Sequence, residues 1–450
     1  MNNTYKVKSG TNYTLDSKAY RLTEVKLTPN NSNNQLDIKD QVVRIDIEES
    51  LFNPVVQIQI LIVDTTSMLE KYKLNGGERI KLTVDRKPPP TAKTTFDVQT
   101  DGEYEKWEYD FAVSEIYNVV RNEPTKQFFT IRAMPLEFFH NASKVLDRAF
   151  TGSPAQIVSK IIKSDLKSTK YNVDIDSKST VSGIFPRVRP FKAITWLSKS
   201  SFDNGTPFFF YASSKEGMQY TSYENLLKDK EKPFATYIFT PFFEAKEDDV
   251  YEETLYRVRS LSSPLHIGKA ANMLTGVYAS NMHVVDTSTK SYRKFDYKHQ
   301  PDKMQSLNEF KPYNQPKDID ALEEMSSART LYMSKNDMSY ADADNLYGPS
   351  GASFLKSVSY RNGLGYIKHF LQVDGNFNLQ PGMIIKLEVQ RVGDREQVEE
   401  DPDQKQNMMR DELMTGNYII TEIKSRFTDE GFNMSLTVQS DSSAIDLNVA

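Results

Sequence analysis

Leu379-Gln380-Pro381-Gly382-Met383-Ile384-Ile385-Lys386-Leu387-Glu388-Val389 repeats, without a gap, the stretch Leu74-Asn75-Gly76-Gly77-Glu78-Arg79-Ile80-Lys81-Leu82-Thr83-Val84. Six of the eleven positions are identical: the first leucine, the turn glycine, and the apolar residues and lysine of the following Ile-x-Leu-x-Val strand. Two further matches follow in the same order. Phe111-Ala112-Val113-Ser114-Glu115-Ile116 corresponds to Tyr418-Ile419-Ile420-Thr421-Glu422-Ile423, and Phe129-Thr130-Ile131-Arg132 to Leu436-Thr437-Val438-Gln439 at the same offset. A glycine before one such strand means little. Three segments in one order indicate two copies of one antiparallel β domain, too far apart for a short-period solenoid.

Composition narrows the class. A chain of 450 residues holds roughly three domains at about 150 residues each. The net charge of −5 comes with no basic block able to neutralise a row of phosphates, which disfavours nucleic-acid binding as the main task. Cysteine is absent, so disulfides, thiolate nucleophiles and Cys-ligated zinc are excluded and the fold must stand on packing. The N-terminus Met1-Asn2-Asn3-Thr4-Tyr5-Lys6-Val7-Lys8 lacks a signal-peptide core, and no run is long enough to span a bilayer. The expected starting compartment is a cytoplasm, with no stable membrane insertion.

Along the chain, an Asn-rich arm to about residue 40 precedes the alternation of Val43, Ile45 and Ile47 with Arg44, Asp46 and Glu48. Beyond Asn53-Pro54, Val56, Ile58, Ile60 and Ile62 alternate again, predicting a hairpin. The Pro88 to Gly102 stretch is too polar and rigid for a core, and the barrel resumes at Trp107 and closes near Ala133. From Met134 the period becomes helical, with Leu136, Phe139, Val145 and Leu146 on one face. Ser153-Pro154 starts a second helix carrying Ile157, Val158, Ile161 and Ile162, and Pro190 a third. Phe208 to Tyr211 and Met218 to Ser222 flank a hairpin turn at Glu216-Gly217. The resulting division is a first β-barrel domain with its arm (1–133), an α+β domain (134–225), a charged linker (226–260), and a second barrel (261–300 and 352–450). An insertion (301–351) interrupts that barrel, with a helix expected from Ile319 to Met333 and a loop at Gly348-Pro349-Ser350-Gly351. The fold class is mainly β with α+β parts.

No catalytic pattern emerges. Of five histidines, His140, His266, His283, His299 and His369, only Glu137-x-x-His140 has the spacing of half a dimetal site, and no second pair completes it. Gly363-Leu364-Gly365 lacks the third glycine of a dinucleotide loop, and Gly348-Pro349-Ser350-Gly351 fails the serine-elbow spacing. Carboxylate pairs for glycoside hydrolysis are set by the fold, so 61 acidic residues are uninformative. The expected catalytic, cofactor and metal residues are none. This describes an assembly component better than an enzyme.

Asp374-Gly375-Asn376-Phe377-Asn378-Leu379-Gln380-Pro381-Gly382, followed by an apolar strand, is very similar to a segment of the baseplate central hub family of T-even-type contractile-tailed phages. Ile45 through Ser50-Leu51 to Gly77 and Leu82 resembles that family's first barrel, and Ile157-Val158, Phe191 to Phe202 and Phe208 to Tyr220 resemble its second domain. Wider relatives include the late control protein of temperate phages and the valine-glycine-repeat spike of type VI secretion. The resemblance implies a non-enzymatic homotrimeric ring in the virion baseplate, assembled in the host cytoplasm. Its two barrels per subunit would adapt a threefold cell-puncturing spike to a sixfold tail tube. Implied partners are the spike, tube or tube-initiator, baseplate wedge and tape measure proteins, with no cofactor. The alternatives are a tail-associated cell-wall hydrolase and the hub of a related phage-like injection system. The loops Lys87 to Lys106 and Arg391 to Asp411 are expected at equivalent places on the two barrels, facing neighbouring proteins.

Overall fold

Successive side chains of a strand point to opposite faces, so the alternation from Val56 to Ile62 commits that segment to one buried and one wet face. The computed structural model describes residues 18, 20–30, 34–86, 105–174, 180–199, 201–203, 205–240, 255–265, 269–286, 290–299, 305–309, 329–335, 348–391 and 410–445. The first sheet comprises β1 (Arg21–Thr28), β2 (Leu36–Asp37), β3 (Val42–Ser50), β4 (Asn53–Asp64), β5 (Arg79–Arg86), β6 (Glu105–Glu123) and β7 (Lys126–Met134). Their order is β2-β1-β5-β6-β7-β4-β3, antiparallel throughout. Val56, Ile58, Ile60 and Ile62 are all buried and share a core with Val25, Leu82, Phe129 and Ile131.

After Met134 come the helix Leu136–Ser143, β8 (Ala149–Gly152) and the helix Pro154–Lys160. Ser153 and Gln156 form a reciprocal capping box at that helix, each satisfying a backbone N–H of the other. β9 (Tyr171–Val173), β10 (Val181–Ile184), the helix Pro190–Lys199, β11 (Phe202–Asp203), β12 (Thr206–Ser213) and β13 (Gly217–Ser222) complete the α+β part. β12 is buried at every position, the mark of a strand covered on both faces. Phe208 and Phe210 pack with Ile157, Ile161, Ile194 and Leu197. On the other face, Phe209 and Tyr211 share a core with Leu51, Tyr360, Ile384 and Ile419. One strand thereby fixes the α+β part to both barrels.

The second barrel uses β14 (Thr236–Phe239) and β15 (Arg257–Leu265) before an insertion. The insertion holds β16 (Ala279–Asp286), β17 (Ser291–Lys298) and β18 (Thr330–Lys335), a separate sheet in the order β17-β16-β18. Leu355 of the helix Gly348–Gly363 packs on it against Met282, Val284 and Tyr297. β19 (Ile367–Asp374), β20 (Ile384–Val389), β21 (Gly416–Thr428) and β22 (Gly431–Ser440) then close the barrel in the order β21-β20-β14-β15-β19-β22 and back to β21.

The duplication is exact at the level of hydrogen bonds in the turn that opens the repeat. Gly77 N–H donates to Val113 O at 2.8 Å and Val113 N–H to Glu78 O at 2.8 Å; Gly382 N–H donates to Ile420 O at 2.8 Å and Ile420 N–H to Met383 O at 2.9 Å. Ile80 stands opposite Phe111, and Ile385 opposite Tyr418. Register irregularities recur at the same places, between Val113 and Glu115 and between Ile420 and Glu422. The repeat also reaches further than the matched segments. β3 and β4 slip between Val42 and Arg44, and β15 and β19 slip between Val258 and Ser260. Thus β3, β4, β5, β6 and β7 correspond, in chain order, to β15, β19, β20, β21 and β22.

Several expectations change. Val113 pairs with Ala133 and Ile420 with Val438, so Leu436 to Gln439 correspond to Ile131 to Met134 and not to Phe129 to Arg132. The difference of two residues preserves which face is buried. It is absorbed one residue at a time in the irregularities between Tyr117 and Val120, where Asn118 takes a φ of 54°, and between Val120 and Glu123. Residues 226–260, read as a linker, contain β14 and the start of β15; a strand of four residues is too short to announce a period. Residues 261–300 divide between the barrel, through β15, and the separate sheet, through β16 and β17. The Gly348-Pro349-Ser350-Gly351 loop is instead the first turn of the helix Gly348–Gly363, where proline costs no intrahelical hydrogen bond, so 352–363 is helix and not barrel. Of the helix expected from Ile319 to Met333, residues 319–328 lie outside the described residues and Thr330–Lys335 is a strand. Val145 and Leu146 lie beyond the helix Leu136–Ser143. Most of the arm, the Pro88 to Gly102 loop and the interior of the Arg391 to Asp411 loop also lie outside the described residues, although the strands flanking the loops, β5 and β6 against β20 and β21, correspond.

Gly77 and Gly382 have φ values of 91° and 90°, which cost a residue with a side chain on the order of 1–3 kcal/mol. A Cβ at 382 would also stand 3.0 Å from the Tyr211 hydroxyl and 3.1 Å from Leu226, whereas at 77 it meets only the Asn30 amide at 3.4 Å. Both Gly77→Ala and Gly382→Ala should lower the denaturation midpoint, Gly382→Ala by more. A smaller loss at Gly382 would contradict this account of the turn.

Candidate assembly interface

The two barrels are joined edge to edge by antiparallel pairing of β3 with β21, from Glu422 opposite Ser50 to Phe427 opposite Ile45. β3 has period-two polarity, so its outward residues meet those of β21 as a charged ladder. Lys424 Nζ lies 2.6 Å from Glu48, and Asp46 is held by Arg426 at 2.7 Å and Arg44 at 3.0 Å. The Lys424–Glu48 pair is about two-fifths exposed at each end and is worth about 0–1 kcal/mol; Asp46 is nearly buried and needs its cations. A cleft of about 500 Å³ lies over this seam, lined among others by Gln57, Phe370, Gln372 and Thr437. Its three carboxylates are engaged: Glu48 by Lys424, Glu422 by a hydrogen bond from Thr437, and Glu49 by the Ser214 N–H. That arrangement holds strands together.

The Asp374 to Gly382 segment is the joint of three parts. Asp374 is fully buried and accepts from Arg259 Nε at 2.5 Å and Nη2 at 2.7 Å. Arg86, from the first barrel, donates to the Gly375 carbonyl. A Cβ on Gly375 would lie 2.0 Å from the Phe432 ring, so only glycine lets this backbone sit there. Phe377 stacks on Trp107 of β6 at 4.1 Å and on Phe432 at 4.6 Å; Phe432 stacks on Phe427, which meets Tyr20. The α+β hairpin completes the joint. Ser213 donates to Gln380 at 2.8 Å, and Lys215 donates to Asn378 at 2.9 Å.

Glu49 lies on the same contact, buried where β3 meets the β12–β13 turn, and its carboxylate accepts the Ser214 N–H. Burial pushes its pKa up, against the lowering effect of that hydrogen bond. The neighbouring Tyr109 hydroxyl is pushed above the ordinary tyrosine range by burial and by the Glu49 charge. Sequence reasoning did not single out this glutamate, although its parity places it with Ile45 and Ile47 on the inward face of β3. The irregularity between Glu48 and Ser50 changes the local register.

The other singled-out residues do not converge. His140 Nδ1 is 2.7 Å from the Leu166 carbonyl, a packing contact between helices. His369 occupies the second barrel's counterpart of Ile58, satisfied by the Ser263 hydroxyl at 2.7 Å and the Tyr418 hydroxyl at 3.1 Å. His299 is buried beside Tyr297, His283 lies between Tyr292 and Tyr332, and His266 lies outside the described residues. Among the described residues no group of three or more metal-ligating side chains comes together, and no helix is long and apolar enough to cross a membrane.

No protein-family model matches the chain, and no curated protein does. Solved structures match its fold. The prophage MuSo2 43 kDa tail protein from Shewanella oneidensis superposes with a TM-score of 0.50 at 9% identity, covering 93% of this chain and 98% of that one. A tail protein from Neisseria meningitidis gives 0.48 at 11% identity, over 93% and 96%. An E. coli component of the type VI secretion system gives 0.42 at 10% identity, over 94% and 79%. The chain shares the fold of a phage tail protein, and the expected mainly β, hub-type fold is borne out.

Glu49 also makes the joint pH-dependent. With its native pKa raised, the folded state binds the proton more tightly than the unfolded chain. Its contribution is therefore most favourable below the ordinary glutamate pKa of about 4.3 and is lost as pH rises through the raised native value. Glu49→Gln keeps an acceptor for the Ser214 N–H and removes the titration. The variant's melting temperature minus that of the wild type should grow between about pH 4 and about pH 7. A difference that stays flat, or shrinks as pH rises, would reject this role.

Proposed function

We propose that this chain is the central hub of a contractile phage tail baseplate, a homotrimeric ring that adapts a threefold cell-puncturing spike to a sixfold tail tube. The observation that carries the reading is the duplication itself: two barrels with matching turns and matching strand irregularities, beside an α+β part present once. Three such subunits offer six similar barrels to a sixfold ring and three α+β parts to a threefold one. Closed rings require heterologous contacts between neighbours. The fold shared with a prophage tail protein supports the same setting. On this reading the partners are the spike and tube or tube-initiator proteins, with wedge and tape measure proteins nearby, and the location is the virion baseplate after assembly in the host cytoplasm.

The deciding measurement is mass in solution by light scattering, for the chain alone and co-expressed with its spike. A trimer in either condition is expected, and an axial image should show six similar lobes. A monomer or dimer in both conditions would end the hypothesis.

The hub is also proposed to have no enzymatic activity. Purified protein should leave a peptidoglycan suspension turbid. Clearing that disappears on substituting one carboxylate would instead favour a tail-associated hydrolase.

A further inference from the structure

The seam inside the chain specifies a seam between chains. On one edge β21 is paired with β22 from Ile419 to Thr428; on the other it meets β20 from Gly416 to Ile419, the Gly382-Met383 turn at Ile420, and β3 from Glu422 onward. Its counterpart β6 repeats this pattern with one omission. β7 lies on one edge; on the other are β5 up to Ala112 and the Gly77-Glu78 turn at Val113, and then, among the described residues, no strand from Glu115 to Arg121. The stretch left over carries Val119 and Val120, 48% and 43% exposed, on a strand edge of the kind that proteins otherwise blunt or cover.

The strand that would fill that place is the counterpart of β3. β15 is paired with β19 on one edge, while on the other β14 reaches only Arg257 and Val258, and no described strand follows alongside Ser260 to Ser263. Within one chain the two edges belong to opposite partners: β3 of the first barrel already meets β21 of the second. The complementary contact, β15 of the second barrel with β6 of a first barrel, therefore needs another molecule.

We infer that the β6 edge from Val119 to Arg121 receives β15, Leu261 to Ser263, of a second copy of this chain, antiparallel and in the register of the internal seam. This rests on the ring proposed above and names its contact. The register follows from matched pairs. Arg426 and Val120 stand opposite Asn433 and Phe128 in their hairpins, and Asp46 and Ser262 stand opposite Gln59 and Phe370 in theirs. The internal pair Arg426 and Asp46 thus translates to Val120 of one copy opposite Ser262 of the next, with Arg121 opposite Leu261 as Phe427 is opposite Ile45. Pro264 has no N–H and ends the usable edge. The contact is head-to-tail, so it propagates around a ring and does not stop at a two-fold pair.

The absence of cysteine makes the test direct. Val120→Cys and Ser262→Cys are introduced together, both at exposed positions, and the protein is oxidised under conditions in which an Asp46→Cys, Arg426→Cys control forms its bond within one chain. The expected result is conversion of the double variant to covalent dimers and trimers on denaturing gels. Equimolar mixtures of the two single variants should give dimers, and neither single variant alone should. Unchanged melting of each variant before oxidation establishes that it is folded. A trimer by light scattering whose double variant stays uncrosslinked would overturn this pairing and leave the hub reading standing. Covalent dimers of Val120→Cys alone would overturn it in favour of a two-fold edge contact. A chain that is monomeric at every accessible concentration, with and without spike, would overturn both.

Discussion

The antiparallel pairing of β3 with β21 is the interaction on which the remaining architecture depends. It turns two sheets into one continuous sheet and fixes the angle and register between the barrels through backbone hydrogen bonds, which tolerate no gradual sliding. The charged ladder across it adds specificity more than energy: a slip of two residues would bring Glu48 opposite Arg426 and leave Asp46 without it. A hinge between two barrels in contact only through side chains would be free to flex. A strand pair shared by both is not, and the Trp107–Phe377–Phe432 stack and the two-faced strand β12 are built around that fixed relation.

Burial explains why so many parts of the molecule answer to one short segment. Asp374 is buried against Arg259, Gly375 has no room for a Cβ, Phe377 fills the space between two barrels, and Asn378 and Gln380 each bond to the α+β hairpin. Each of these positions answers to a different neighbour, so a substitution at any one has to be matched on another part of the molecule. A loop with a single neighbour is under no such constraint. With no disulfide available, this packing is what holds the three parts in place.

The barrel strands were legible where alternation was long, as from Val56 to Ile62, and where the turn glycine repeated, as at Gly77 and Gly382. The correspondences of β3 with β15 and β4 with β19 were not. Ile58 is matched by a buried histidine, His369, and the β3–β4 turn at Leu51-Phe52 is matched by the whole insertion between β15 and β19, so neither residue type nor spacing survives there. Pairing preserved what the residues did not, down to the slip after Val42 and after Val258. The partner of Glu49 was invisible for a related reason: the carboxylate meets a hairpin more than 150 residues further along the chain, which no local pattern reports.

The two barrels differ most where they would otherwise close. β14 runs parallel to both β20 and β15 and seals the second barrel, whereas β1 runs antiparallel to β5 and does not pair with β3. Closure of the same kind would engage the β3 edge only at Gln41 and Val42, as β14 engages β15 only at Arg257 and Val258, and would leave Ile45 to Ser50 free for β21. The opening is covered instead by the tip of the β21–β22 hairpin: Tyr20 donates to the Thr428 carbonyl at 2.8 Å, and Phe432 N–H donates to the Lys18 carbonyl at 2.9 Å. The departure from exact repetition therefore lies beside the seam and not in it. What joins the repeats is the β3–β21 pairing, which makes one continuous sheet of both.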